Sequence, residues 1–406
     1  MSKRLLSIAA ALAACVLVGQ GAQAKTLEDI LKEKGVITEA DYKEVTKSKP
    51  FDYKLGKGFT FTSADEKFQL SIGGRMQFRY TFMDNDGPNT DTSSFNAQRI
   101  RLIAQGYAYS KDFTYKLEID PKVLSDSSGN NSRGGLLDCF INYKFMNELQ
   151  LLVGQTKVKY GYTMVQADAN LMFVDRVPWI SRMVPGYELG AFAYGNFAKG
   201  LVDYALSVTN GDGQTYAAST NHNAFAARVA LSPLGKMAND EPDLAISKKP
   251  VFTVGANYLY NNLNSGENWG TYGTWATTAP AGWNNNRDIQ NYGFDAHFKW
   301  MGLALQGEAL FSQGVNKDSN VKRCALGWYG QAGYMITPKI GVAFRYSQFD
   351  PNRGRSNDLQ SEQIGAVSYY FDKHNLKLQA DVGNIHDQSS TNRDAMQYRM
   401  QAQLVF

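Results

Sequence analysis

Beyond its first 24 residues, this sequence of 406 residues has no apolar run of the ~18 residues that a transmembrane helix requires, which excludes a helical membrane protein. The chain also has no large excess of one charge sign, because it contains 42 Lys and Arg residues and 38 Asp and Glu residues. Lys3 and Arg4 lie in the leader described below, so the formal charge falls from +4 to +2 without it. A balance this small gives no reason to expect a nucleic-acid partner.

Histidine and cysteine are too scarce and too scattered to suggest catalysis. The histidines are His222, His297, His374 and His386. They stand in no recognisable motif with Ser or Asp, and no spacing typical of metal ligands occurs, so we expect neither enzyme activity nor a cofactor. Of the three cysteines, Cys15 lies in the leader, and Cys139 and Cys324 fall on strands far apart in the sequence, so we expect two free thiols.

The N-terminal region differs from the rest of the chain. Two basic residues precede an apolar run over residues 5–18, and an Ala-Gln-Ala sequence ends at Ala24, which is typical of a secretory signal peptide over residues 1–24. Leu27, Ile30 and Leu31 then stand at helical spacing, and a second short helical pattern opens at Thr38. We predict a periplasmic helical arm over residues 25–55, before a barrel over residues 56–406.

An alternation of apolar and polar residues dominates the rest of the sequence. The last nine residues, 398–406, alternate with a period of two and end on Phe406. A strand of this kind is apolar on one face and polar on the other, as in outer-membrane barrels. The predicted strands lie near residues 68–82, 95–109, 113–120, 136–146, 148–156, 187–197, 201–209, 221–232, 251–261, 291–300, 302–312, 323–336, 339–349, 359–371, 375–387 and 393–406. The sequence therefore predicts an all-β fold, a transmembrane antiparallel β-barrel of about sixteen strands with a short N-terminal helical arm.

The connections between these strands alternate between short turns and long polar loops, as in outer-membrane barrels. One stretch, 233–250, is long where a short turn is expected, so a strand boundary or the strand count is in question there. The longest apparent outer loop, 157–186, is our candidate constriction, with a subunit-contact or surface loop as the alternative. It contains Lys157, Lys159, Arg176 and Arg182 against Asp168 and Asp175.

A barrel of about sixteen strands leaves an aqueous channel, so passage of solutes is the expected function. The inward-facing basic residues by parity are Arg75, Arg79, Arg99, Arg101, Lys116, Arg228, Lys299, Arg345, Lys377 and Arg399. The inward-facing acids are Glu118, Asp138, Asp295, Glu308 and Asp381. The first two strands are neighbours and carry four inward arginines without an inward acid, which predicts a basic wall that favours anions.

Several segments resemble the phosphate-selective porin O and P family, from about residue 65 to the end. They are Leu137-Asp-Cys-Phe140, the run Leu151-Leu-Val-Gly-Gln-Thr-Lys-Val-Lys-Tyr-Gly161, Phe173-Val-Asp-Arg176, Tyr187-Glu-Leu-Gly190 and Asn210-Gly211. Lys159 stands where the family usually has Pro, and Cys139 where it often has Ala. The resemblance implies a sixteen-stranded barrel that forms trimers, with arginines and lysines that bind phosphate or polyphosphate.

These observations predict a porin of the bacterial outer membrane that prefers phosphate-like anions. The predicted lumen-lining and anion-binding residues are Arg75, Arg79, Arg99, Arg101, Lys157, Lys159, Arg176, Arg182, Arg228, Arg345 and Arg399. The expected partners are outer-membrane lipid and lipopolysaccharide, small anionic solutes and two further copies of the chain. The alternatives are a non-selective general porin, a sugar channel that uses the tryptophans of loop 262–290, and a barrel that sheathes a periplasmic electron-carrier protein.

Overall fold

The computed structural model describes residues 27–40, 42, 50–86, 90–121, 135–214, 222–263, 287–389 and 394–406. The chain divides into two compact units, residues 1–50 and 51–406. In the first unit, helix α1 (Leu27–Glu33) corresponds to the first helical pattern. The Tyr42 amide donates to the Thr38 carbonyl, as in a helical turn, but most of the second pattern and the signal peptide lie outside the described residues. No helix in the described ranges is long and apolar enough to cross a membrane.

Sixteen long strands of the second unit form one closed antiparallel sheet. They are β3 (Phe68–Asn85), β4 (Thr92–Ala108), β5 (Ser110–Ile119), β6 (Leu136–Met146), β7 (Leu149–Lys157), β8 (Tyr187–Phe197), β9 (Val202–Thr209), β10 (Ala224–Leu231), β11 (Val251–Leu263), β12 (Arg287–Trp300), β13 (Leu303–Asn316), β14 (Lys322–Thr337), β15 (Ile340–Asp350), β16 (Gln360–Asp372), β17 (Leu376–Asp387) and β18 (Asp394–Val405). Each corresponds to one predicted strand, so the prediction of a barrel of about sixteen strands is confirmed.

The barrel closes between its first and last long strands, where β3 pairs with β18 from Asn85↔Ala395 to Arg75↔Val405. Along the strands, large apolar side chains point outward and stay exposed, as Val153, Phe294 and Phe344 do. Charged and amide side chains point inward. A barrel in water would bury its apolar face, whereas this inverted alternation suits a barrel surrounded by lipid. Closure also leaves no unpaired strand edge between β3 and β18, as a lipid environment requires.

A short hairpin completes the sheet where β18 ends, and the sequence analysis did not predict it. Its strands are β1 (Phe51–Lys54) and β2 (Gly58–Thr62). β2 pairs with β3 over residues 69–72, the part of β3 that lies beyond the last residue of β18. Four aromatic rings of the hairpin pack together on its exposed face: Phe51, Tyr53, Phe59 and Phe61. The hairpin therefore satisfies the backbone groups of β3 that β18 is too short to reach.

The doubtful stretch between β10 and β11 is a genuine loop, and the count of sixteen strands stands. It lies at the end of the barrel that carries the C-terminus. Asp243 holds its last turn, because its carboxylate accepts from the Ser247 amide and hydroxyl and from the Gly302 amide. We call residues 232–250 the β10–β11 loop.

The seam between β3 and β18 generates a testable prediction. The Gly74 amide donates to the Phe406 carbonyl, and the Phe406 amide donates to the Gly74 carbonyl. A Cβ at Gly74 would lie 2.7 Å from the Arg101 carbonyl oxygen and 2.8 Å from Phe406 Cζ. We therefore expect Gly74→Ala to lower the free energy of unfolding by about 1 to 3 kcal/mol, measured by urea unfolding in lipid vesicles.

Gly330→Ala is the matched control for this seam variant. Gly330 is also a strand glycine, on β14, but a Cβ there would meet no atom within 4 Å. Its substitution is expected to leave the stability unchanged or slightly higher, because alanine restricts the unfolded chain more than glycine does. Equal stability of the two variants would show that the contact of Phe406 with Gly74 does not hold the seam.

Candidate functional site

The connection between β7 and β8, residues 158–186, folds into the barrel and is called here the inner loop. It contains the one-turn helix α2 (Tyr162–Val165) and two turns of 3-10 helix. Wall side chains donate to its carbonyl groups from several strands: Arg79, Asn291, Arg345, Lys377, Gln379, Gln401 and Gln403. Because these strands lie on opposite sides of the barrel, the inner loop crosses the lumen and is held on both sides.

One edge of the inner loop is apolar and packs against one part of the wall. Its side chains there are Val158, Tyr160, Val177, Trp179, Ile180, Met183 and Val184. The wall residues that receive them are Leu152, Phe192, Ala226, Leu259, Leu310, Ala325, Tyr329 and Phe349. The expectation of a polar inner face was therefore wrong at these wall positions, because inward apolar residues occur where the apolar edge of the loop covers the wall.

The opposite edge of the inner loop is acidic and faces β3 and β4. Register pairs Arg75 with Arg101 and Gln77 with Arg99, so the arginines of the two strands lie side by side. Asp168 reaches them from the loop: its Oδ2 lies 2.9 Å from Arg101 Nη2, 3.3 Å from Arg99 Nε and 3.4 Å from Arg75 Nη2. The Arg176 guanidinium contacts the other oxygen of the same carboxylate. Four guanidinium groups thus converge on one carboxylate whose side chain is 2% exposed.

Two further carboxylates engage the same arginines. Asp175 of the inner loop lies 2.8 Å from Arg79 and 3.0 Å from Arg99. Burial alone would raise the pKa of Asp175, but Arg99 and Arg79 outweigh it and hold that pKa well below its ordinary value. Glu118 on β5 lies 2.8 Å from Arg101. We call the following set the arginine network: Arg75, Arg79, Arg99, Arg101 and Arg176 with Glu118, Asp120, Asp168 and Asp175.

The structure thus brings five of the predicted site residues together, but it changes what they face. The sequence pattern predicts that the four arginines of β3 and β4 form a basic wall with no inward acid on either strand. Each of them instead contacts a carboxylate, supplied by the inner loop or by β5. Asp168 and Asp175 were visible in the sequence, but they are 67 or more residues from these arginines, and no local pattern specifies such a contact.

The remaining predicted residues lie at separate points of the lumen. Lys157 donates to the Met164 carbonyl, Lys159 Nζ lies 3.5 Å from the centre of the Tyr194 ring, and Arg182 donates to Gln360. Three others form carboxylate pairs within the wall: Arg228 with Asp295, Arg345 with Glu362, and Arg399 with Asp381. These residues are therefore not part of the arginine network.

The β10–β11 loop contacts the inner loop in the lumen, a contact that the sequence pattern did not predict. The Glu241 amide donates to the Asn170 carbonyl at 3.0 Å, and its carboxylate accepts from the Met172 amide at 2.8 Å. The Asn170 side chain donates in turn to the Asn239 carbonyl at 2.8 Å. The one signal of this contact was the unexpected length of residues 233–250. The tryptophans proposed for sugar stacking, by contrast, lie outside the described residues.

Comparisons with known proteins agree with this geometry. The family model "Phosphate-selective porin O and P" matches residues 70–406. Porin O of Pseudomonas aeruginosa is 22% identical over 366 residues, which cover 81% of this chain and 77% of that protein. Two solved structures share the fold. The outer membrane channel DcaP of Acinetobacter baumannii has a TM-score of 0.58 at 14% identity, with 86% of this chain and 100% of that chain covered.

The second solved structure is the anion-selective porin from Comamonas acidovorans, with a TM-score of 0.55 at 10% identity, covering 83% of this chain and 99% of that chain. At these identities the two structures speak for the barrel fold alone. The family model, in contrast, covers every strand from β4 to β18 and nearly all of β3. The chain therefore belongs to the phosphate-selective porin O and P family, and it is a porin of the bacterial outer membrane.

Proposed function

We propose that this porin is a passive diffusion channel for small hydrophilic solutes that prefers anions, phosphate-like oxyanions among them. The observation that carries the proposal is the arginine network, in which five guanidinium groups surround four carboxylates in the lumen. Selectivity in a channel comes from the charges that line it. An excess of positive charge beside the inner loop attracts anions and repels cations.

The exposure of the charges supports the same preference. The Asp168 and Glu118 side chains are 2% and 6% exposed, whereas Arg99 is 13% and Lys116 is 24% exposed. The cationic groups therefore present more of their surface to the lumen than these acids do. Asp175, at 19%, is the most exposed acid of the network, but it lies within 3.0 Å of two guanidinium groups.

The alternatives receive less support from the described residues. A sheath around a folded electron carrier needs an open lumen, but the inner loop contacts wall strands on opposite sides. Equal passage of anions and cations would indicate a general porin. The anion-selective porin whose fold the chain shares supports the first proposal by analogy only.

The ratio of chloride to potassium permeability tests the proposal. We expect the reversal potential in planar bilayers under a KCl gradient to report a preference for chloride, which falls as the salt concentration rises because mobile ions screen the network. Arg99→Gln removes one charge from the network. A unit charge at ~8 Å in water is worth about 0.5 kcal/mol, with opposite sign for chloride and potassium, so the permeability ratio should fall about fivefold.

The matched control removes a buried pair without a change of net charge. In the double variant Arg345→Gln, Glu362→Gln both members of one wall pair become neutral amides. Its permeability ratio is expected to equal that of the unaltered porin. Equal permeability of both ions in the unaltered porin would make the protein a general porin, and no conductance at all would favour the sheath.

Lys159 gives the selectivity a dependence on pH. The pKa of this ammonium is lowered to about 8, mainly by burial, with Asp203 acting against the shift and Lys236 in its favour. Lysine is charged below its pKa and neutral above it, so the preference for chloride should fall between pH 7 and pH 9. Lys159→Arg should keep the preference over this range, because guanidinium stays charged. A decline of equal size in this variant would assign the titration to another group.

We also propose that the porin acts as a homotrimer and that residues 1–24 are removed as a signal peptide. Of the arm predicted over residues 25–55, we propose that residues 25–50 form a periplasmic arm, since β1 (Phe51–Lys54) belongs to the barrel sheet. The support is the family's implied assembly and the basic and apolar pattern of the leader. Cross-linking of the purified porin in detergent should give a ladder that ends at three chains. A ladder that ends at one chain would contradict the trimer.

A further inference from the structure

We propose that the guanidinium groups around Asp168 form a binding site for a small oxyanion, called here the seat. The Asp168 carboxylate occupies this site and therefore competes with the anion, while the inner loop keeps the carboxylate in place. The seat consists of the guanidinium groups of Arg75, Arg99, Arg101 and Arg176. The inference rests on the proposed function, since it names the point in the channel where an anion would bind. Its ligands are small anions that present three or four oxygens, either inorganic phosphate or an organic dicarboxylate.

The number of donors around Asp168 is the first argument. One guanidinium that donates two hydrogen bonds is sufficient to pair with a carboxylate. The wall pair of Arg399 and Asp381 follows that rule, since Asp381 takes both its bonds to guanidinium from Arg399, at 2.7 and 2.8 Å. Asp168 instead receives four guanidinium groups. Glu118 and Asp175 also pair with Arg75, Arg99 and Arg101, so the feature that sets Asp168 apart is the number of guanidinium groups that converge on it.

Unused hydrogen-bond donors are the second and independent argument. The Nε atoms of Arg75 and Arg101 are buried and find no hydrogen-bond acceptor among the described residues. Burial of an unsatisfied donor costs free energy, and the cost is larger for a charged group. Arg75 is 7% exposed as a whole. An anion with three or four oxygens can accept from these atoms, whereas the two oxygens of Asp168 do not reach them.

The Asp168 side chain is one of several contacts that position this part of the inner loop. The adjacent Ala169 carbonyl accepts from Gln403 at 3.1 Å, and the Leu171 carbonyl accepts from Lys377 at 3.0 Å. The Met172 amide is held by Glu241. Loss of the Asp168 charge therefore leaves the loop anchored on both sides of the residue, so a variant at this position can vacate the seat without release of the loop.

The test compares Asp168→Asn with Asp175→Asn. Both variants remove one negative charge from the inner loop, but Asp175 lies between only two guanidinium groups, Arg79 and Arg99. The readout is the concentration of inorganic phosphate or of succinate that halves the chloride current in planar bilayers. We expect Asp168→Asn to lower this concentration about tenfold or more for at least one of the two probes, and Asp175→Asn to change it less than about threefold.

Two outcomes would overturn the inference. If the two variants lower the blocking concentration equally, the effect is one of net charge and Asp168 is not the occupant of a seat. If phosphate and succinate each block the Asp168→Asn variant at the same concentration as the unaltered porin, no seat exists. Which probe blocks more strongly distinguishes phosphate from an organic carboxylate, and block by either one supports the seat.

Folding of Asp168→Asn is checked by gel electrophoresis, in which heating shifts the band of a folded barrel. A second variant is used if Asp168→Asn shows no such shift. The double variant Asp168→Asn, Arg176→Gln keeps the net charge and leaves three guanidinium groups in the seat. It should still be blocked at a lower concentration than the unaltered porin. Equal block would overturn the inference.

The inference and the proposed function can fail separately. A porin without chloride preference whose Asp168→Asn variant is blocked by phosphate would retain the seat and lose the proposed selectivity. A porin that prefers chloride, but whose Asp168→Asn variant behaves like the unaltered protein, would keep the selectivity and lose the seat.

Discussion

The contact between the acidic edge of the inner loop and the arginines of β3 and β4 is the interaction on which the architecture of the lumen depends. A barrel of sixteen strands is wide enough to hold water, and a loop within it needs contacts that compensate for the water it displaces. Asp168 and Asp175 supply them on one side, at distances of 2.8 to 3.4 Å from Arg75, Arg79, Arg99 and Arg101. The apolar edge around Trp179 and Met183 supplies them on the other.

Charge pairing of this kind specifies a position more than it adds stability. Desolvation of two ions offsets much of their attraction, although removal of one partner leaves an uncompensated charge. The Arg399 and Asp381 pair illustrates the point, because the Asp381 carboxylate also accepts from the Val174 amide of the inner loop at 3.0 Å. A loop displaced by one residue would leave such groups without partners. The register of the loop within the lumen is therefore tightly specified.

The sixteen long strands could be predicted from the sequence alone, but the contacts inside the lumen could not. The period of two is imposed by lipid on one side and polar contacts on the other, so all sixteen strands of the barrel could be predicted with bounds within a few residues. The hairpin of β1 and β2 was missed because strands of four and five residues carry too little of this pattern. Inward apolar residues such as Leu152 and Phe192 were also missed, because parity says which way a side chain points but not what covers it. The charge balance around Arg99 depends on the path of a long loop, and no local rule predicts that path.

The anchoring of the inner loop by the last two strands has a consequence for how the protein folds. β17 and β18 contribute Lys377, Gln379, Asp381, Gln401 and Gln403 to the loop's contacts. These strands are the last in the chain, and β18 is also the strand that pairs with β3. The loop therefore cannot complete its contacts before the C-terminal strands are in place, and those strands enclose it as they pair. The last contacts of the loop therefore form only when the barrel closes.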